Sequence, residues 1–74
     1  MPYQDKTDER RLRLAYQVAA LMAEGDSDEV VQSWFQGLNP QLEDRLPARL
    51  LREGDLDEVG LLILAAARSF VATG

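Results

Sequence analysis

A chain of 74 residues with no cysteine and no histidine is one domain near the lower size limit for a self-sufficient core. It lacks disulfides, zinc-thiolate sites and the commonest general base and proton shuttle. Thirteen acidic against eight basic side chains give a net charge of −5, which disfavours a phosphate-backbone partner and suits a cationic or amphipathic protein surface.

From about Asp8 to Glu24, Leu14, Ala15, Val18, Leu21 and Met22 recur at three- and four-residue spacing, which predicts an amphipathic helix. Thr7 is placed to cap it, Asp8 and Glu9 complement its dipole, and Gly25 is placed to end it in a left-handed conformation. The basic cluster Lys6, Arg10, Arg11 and Arg13 is nearly cancelled by Asp5, Asp8 and Glu9, and reads as a solvated helix start. This opening lacks the uninterrupted apolar core of a signal peptide.

In "DSDEVVQSWFQG", Asp26 or Ser27 is the candidate cap and Asp28 and Glu29 occupy the first turn of a short second helix. Val30, Trp34 and Leu38 fall on one face with Val31 and Phe35 beside them. The two rings, the largest apolar side chains, are expected to anchor the core.

The helical pattern then breaks over "WFQGLNPQLEDRLP". Asn39 reads as an N-cap with Pro40 at the first helical position, giving one turn through Leu42. Leu46 is held extended by Pro47, which opens a further short helix, "PARLLREG", closed by Gly54. The segment is a folded-back Asn-Pro/Leu-Pro corner, with Trp34, Leu42 and Leu50 read as core. Arg45 either ties down the turn through nearby carboxylates and carbonyls or contacts a partner directly.

Asp55 and Glu58 have capping-box spacing at the start of a last helix running to about Ala72. Val59, Leu61, Leu62, Ile63, Leu64, Ala65, Ala66 and Ala67 cover every side of it, leaving Gly60 as a gap, and a chain this small has too few other helices to surround it. One face, Val59, Leu62 or Ile63, Ala66 and Phe70, is expected to pack on Trp34, Leu38 and Leu50. The opposite side, around Leu61, Leu64, Ala65 and Arg68, has no visible cover. It is the candidate partner-binding surface, with Phe70 and Arg45 as further candidates. The longest apolar run, Val59 to Ala67, is nine residues and too short to span a bilayer.

The expected fold is all-α, a small bundle of four to five helices forming a single domain over residues 1–74, with a tail and helix start at 1–13. No catalytic, cofactor-binding or metal site is expected. Asp55, Asp57 and Glu58 lie in a cap with no nucleophile or phosphate loop nearby, and "DSDE" and "DLDE" lack calcium-loop spacing. The acidic clusters at 24–29 and 53–58 read as caps and solvated surface, or as complements to an arginine-rich cleft.

The ordered set Trp34, Leu38, Asn39, Pro40, Leu42, Arg45, Pro47, Leu50 and Leu51, followed by a capped helix, resembles the toxin-binding domain of the Xre/MbcA/ParS-like antitoxin family over roughly residues 14–74. Where that family reads Gly-Gly-Arg-Thr-Pro, this chain reads "EDRLP", so that Glu43 and Asp44 replace the two glycines. The absence of a signal-peptide core and of a membrane-length apolar run points to the cytoplasm, and the resemblance implies a non-catalytic inhibitor. It would cover the active-site entrance of a RES-type, NAD-consuming toxin; the uncovered side of the last helix is expected to make either that contact or a homodimer. Many relatives carry an N-terminal helix-turn-helix, but only about 25 residues precede the Val30 helix here. Two other readings of the residues are a small helical DNA-binding regulator and a generic helical adaptor or oligomerisation module. The regulator's only compact recognition helix, "DEVVQSWFQG", carries two acids and two aromatics.

Overall fold

The computed structural model describes residues 6–73, with side chains from Asp8 onward; the charges of Asp5 and Lys6 and the hydroxyl of Thr7 lie outside the described residues. It is an all-α bundle of four helices, with no strand among the described residues: α1 (Lys6–Ala23), α2 (Asp28–Gln36), α3 (Pro47–Glu53) and α4 (Leu56–Thr73), with a single 3-10 turn, Pro40–Leu42, between α2 and α3.

Local chemistry sets most of the boundaries. Ser27 sits in extended backbone before α2, and its Oγ accepts from the Val30 N–H at 3.3 Å. Asp55 opens α4, its Oδ1 accepting from the Asp57 N–H at 3.0 Å and its carbonyl from the N–H groups of Glu58 and Val59. Pro47 opens α3 after an extended Leu46 (φ −80°, ψ 127°), the geometry a following proline imposes.

Two sequence expectations at the ends of α1 are corrected. The helix already includes Lys6, so Thr7 lies within it and is not its cap. No described glycine has a positive φ. The N–H groups of Gly25 and Asp26 both donate to the Met22 carbonyl, at 3.2 and 3.0 Å, and these bonds end α1 without a left-handed residue.

The core is centred on α1 and α4. Val18, Met22, Ile63 and Ala67 are fully buried, and Val31, Leu42, Leu50, Leu51, Leu56, Val59 and Ala66 close around them with no buried polar side chain among the described residues. Each large apolar side chain so enclosed contributes about 1.5–3 kcal/mol. The two long helices run in the same direction, since Arg10 pairs with Asp57 at 2.8 Å and Leu14 lies against Gly60. Gly60, Ala66 and Ala67 are the small residues on the buried face of α4, and they let α1 approach closely.

The aromatic pair is displaced from the place predicted for it. Trp34 and Phe35 meet edge to face, with centroids 5.3 Å apart and planes at 84°, yet both are only half-buried at the margin of the core. Val31 is the buried residue of α2, and Val30 is exposed. Leu38 is 69% exposed, because Gly37 leaves the helix in extended geometry (φ −94°, ψ 157°) and breaks the phase that would have continued the Val30–Trp34 stripe.

The principal-axis extents are 44 × 24 × 17 Å. At the usual interaxial spacing of about 8–10 Å, the thin direction holds two layers of helix. Among the described residues no third layer covers the outer side of α4.

Candidate protein-interaction site

The corner between α2 and α3 positions the rest of the chain against α4. Asn39 caps the 3-10 turn, its Oδ1 accepting from the Gln41 N–H at 2.9 Å and its carbonyl from the N–H groups of Leu42 and Asp44. The Asn39 N–H donates to the Arg45 carbonyl at 3.2 Å, closing the corner as a single antiparallel bridge. Gln41 Nε2 ties this turn to α4 through Ser69 Oγ at 2.8 Å. Leu42 and Pro47 are fully buried beneath it, and Leu50 and Leu51 are buried in α3.

Glu43 and Asp44 both stand at φ 59°, so the chain turns left-handed at the two positions occupied by acidic residues. Such a conformation costs a non-glycine residue about 1–2 kcal/mol. Arg45 holds the turn: its Nε donates to the Leu42 carbonyl at 2.8 Å and its Nη2 to Glu43 Oε1 at 3.1 Å. Of its two sequence readings, the tie-down is the arrangement observed. The side chain also borders a separate depression with Leu38, Leu46 and Leu50.

On α4, Leu61, Ala65, Arg68 and Ala72 form one exposed stripe at i, i+4, i+7 and i+11. Leu61 is 76% exposed, and Leu62, on the flank, is 48% exposed. Glu58 lies on the N-terminal continuation of the stripe, and neighbouring Asp57 carries the exposed pair to Arg10. The structure thus brings together Leu61, Ala65 and Arg68. It does not bring Leu64 and Phe70 to that stripe. Leu64 is half-buried against the core, and Phe70 is half-buried in the cleft it shares with Trp34. The inward face uses Val59, Ile63 and Ala66, with Ile63 rather than Leu62 as its central residue.

Sequence reading passed over Leu12 and Tyr16, which are 68% and 76% exposed on α1. They stand four residues apart and continue through Ala19 and Ala23, a second apolar stripe beside the one ending at Met22. The signal was an apolar arc on α1 wider than one core contact requires.

No family model matches the chain, and neither a curated protein nor a solved structure matches it. No helix among the described residues is long and apolar enough to cross a membrane.

Proposed function

We propose that this chain is an antitoxin-like protein-binding module that inhibits a RES-type, NAD-consuming toxin by laying α4 across the entrance to its active site. The observation that carries the reading is the exposed stripe of α4, in which Leu61 is 76% exposed on a helix whose other side buries Val59, Ile63, Ala66 and Ala67 in the core. A leucine-bearing stripe with an acidic start and an arginine two turns beyond the leucine is suited to a mixed apolar and charged cleft. The ordered corner residues resemble the toxin-binding domain of the Xre/MbcA/ParS-like family, and they supply the class of partner. In this reading Leu61 and Ala65 seat on the toxin, and Arg68 reaches towards its cleft. The cytoplasm is the expected compartment.

Co-expression with the product of an adjacent RES-type reading frame, followed by size-exclusion chromatography and an NAD-consumption assay, tests the reading. Wild-type protein is expected to co-elute with the toxin and suppress NAD loss. Leu61→Glu combined with Ala65→Glu should keep helicity and abolish both effects, because an unpaired carboxylate buried in an interface costs several kcal/mol. Both positions are exposed, whereas Leu64→Glu would disturb the core as well. Failure of the wild-type chain to bind or inhibit rejects the proposal.

A further inference from the structure

The half-buried rings of Trp34 and Phe70 wall one cleft between α2 and the C-terminal half of α4. On one side of the rings it continues to Leu38 and Pro40, on the other to Glu29 and Val30, and Ser33 borders both parts. The Glu29 part encloses about 430 Å³, far more than the roughly 30 Å³ of a water molecule. Val30 is 38% exposed on its rim, and Phe35 braces the indole edge to face. Among the described residues, Glu29 is the only charged member of the lining in either part.

The charge around this cleft has one sign. No lysine or arginine occurs between Arg13 and Arg45, and the segment leading into α2 carries Glu24, Asp26, Asp28 and Glu29. Asp28 and Glu29 stand in the first turn of α2, and their two full charges exceed the roughly half positive charge of that helix end. Among the described residues none of the four carboxylates has a salt bridge, since the ion pairs are Arg10–Asp57, Arg45–Glu43 and Arg49–Glu53. The bases nearest the cleft are turned elsewhere. Arg68 is two residues from Phe70, about 200° around α4, on the outward stripe with Leu61 and Ala65. Arg45, beyond Leu38, is held by the Leu42 carbonyl and Glu43 and lines a different depression. The apolar groove beside Tyr16, between α1, α2 and α3, lacks such a bias: Arg52 is in its lining and exposed Asp8 and Glu9 lie a turn before Leu12.

We infer that the Glu29 part of the cleft receives an arginine side chain of a partner protein, its apolar stem against Val30 and Phe70. Both kinds of lining select a guanidinium. Aromatic rings attract a cation through their quadrupoles, and a carboxylate accepts two parallel N–H groups from the planar fork. A neutral apolar side chain would use the rings but strip water from Glu29 without pairing it. The cleft lies about half a turn around α4 from Leu61, so the inference goes beyond the toxin reading and stands without it.

Trp34 is the only tryptophan of the chain, and its emission therefore reports on the cleft. The full chain is titrated with the capped peptide acetyl-Leu-Arg-Leu-amide and with the same peptide carrying citrulline, the uncharged isostere of arginine, while backbone amide shifts are followed by NMR. The arginine peptide is expected to change Trp34 emission saturably, to shift amides at 29–34 and 66–73, and to bind about threefold or more tightly than the citrulline peptide. Glu29→Gln, an exposed position, should keep the wild-type helicity and erase that preference, while Leu61→Glu should leave it unchanged. Equal binding of the two peptides overturns the inference. So does a preference that survives Glu29→Gln, a shift map centred on the Leu61 stripe or the Tyr16 groove, or the lack of any saturable change with the arginine peptide.

Discussion

Arg11 of α1 donates from Nη1 to the carbonyl oxygen of Leu51 in α3 at 2.7 Å, across 40 residues of sequence. Leu51 lies in the last turn of α3, where carbonyls have no intrahelical partner. A guanidinium there satisfies the acceptor and complements the negative end of the helix dipole. Arg11→Ala leaves a part-buried carbonyl unpaired and is expected to cost about 1–3 kcal/mol. At about 4–8 °C per kcal/mol for a domain of this size, the loss is readable by thermal denaturation. A melting temperature unchanged from wild type would show that water replaces the guanidinium without penalty.

The left-handed pair Glu43 and Asp44 gives a prediction of opposite sign. Glycine removes the conformational penalty but adds freedom to the unfolded chain. Glu43→Gly also gives up only an exposed ion pair to Arg45. A net gain of about 0.5–1 kcal/mol is expected for Glu43→Gly, whereas Glu43→Val should destabilise because β-branching resists φ above zero. Chemical denaturation of the two variants measures the contrast, and equal midpoints would contradict the left-handed geometry.

Gly60 and Gly54 separate two roles of glycine. A Cβ on Gly60 would meet Leu14 Cδ2 at 3.6 Å, an ordinary contact, whereas one on Gly54 would lie 2.7 Å from the Leu50 carbonyl oxygen and 3.0 Å from Val59 Cγ2. Gly60→Ala is therefore expected to stabilise α4 by about 0.5–1 kcal/mol through helix propensity, and Gly54→Ala to destabilise the junction between α3 and α4. Urea titration of both variants tests the pair. Loss of stability in Gly60→Ala would mean that α1 sits closer to α4 than this packing allows.

Trp34→Ala is expected to cost less than the roughly 3–5 kcal/mol typical of a fully enclosed large aromatic, since the ring is half-buried beside Phe70. Tryptophan emission intermediate between buried and water-exposed is expected for the wild-type chain. A fully buried emission maximum would return the indole to the centre of the core.

The features legible in the sequence were those that a few neighbouring residues decide. Asn39 and Pro40, Pro47, Asp55 and Gly54 each bound their elements where expected, because capping and the loss of a donor act within one turn. The outward stripe of Leu61, Ala65 and Arg68 was also legible, since a helix apolar on all sides outruns the surfaces available in a small chain. What failed depended on distant geometry. Leu38 kept its helical spacing from Trp34 in the sequence, but one extended residue at Gly37 turned it to solvent. The spacing places Leu64 on the open side, yet it rests against the core that α1 and α4 build together. The groove beside Tyr16 exists only once α2 and α3 have folded around α1, so no single stretch of sequence contains it.

The pairing of α1 with α4 has a kinetic side. The helices that share the centre of the core are the first and last of the described chain, and their Arg10–Asp57 contact spans 47 residues. By the logarithmic law of loop closure, joining them costs on the order of 3 kcal/mol in chain entropy. Most of the core therefore forms late, after α4 has been made and brought back. During synthesis α1 must wait with its apolar stripe unguarded. A protease cut at the exposed turn of residues 24–27 would turn this internal contact into an encounter between two fragments, and survival of the fold would then depend on concentration.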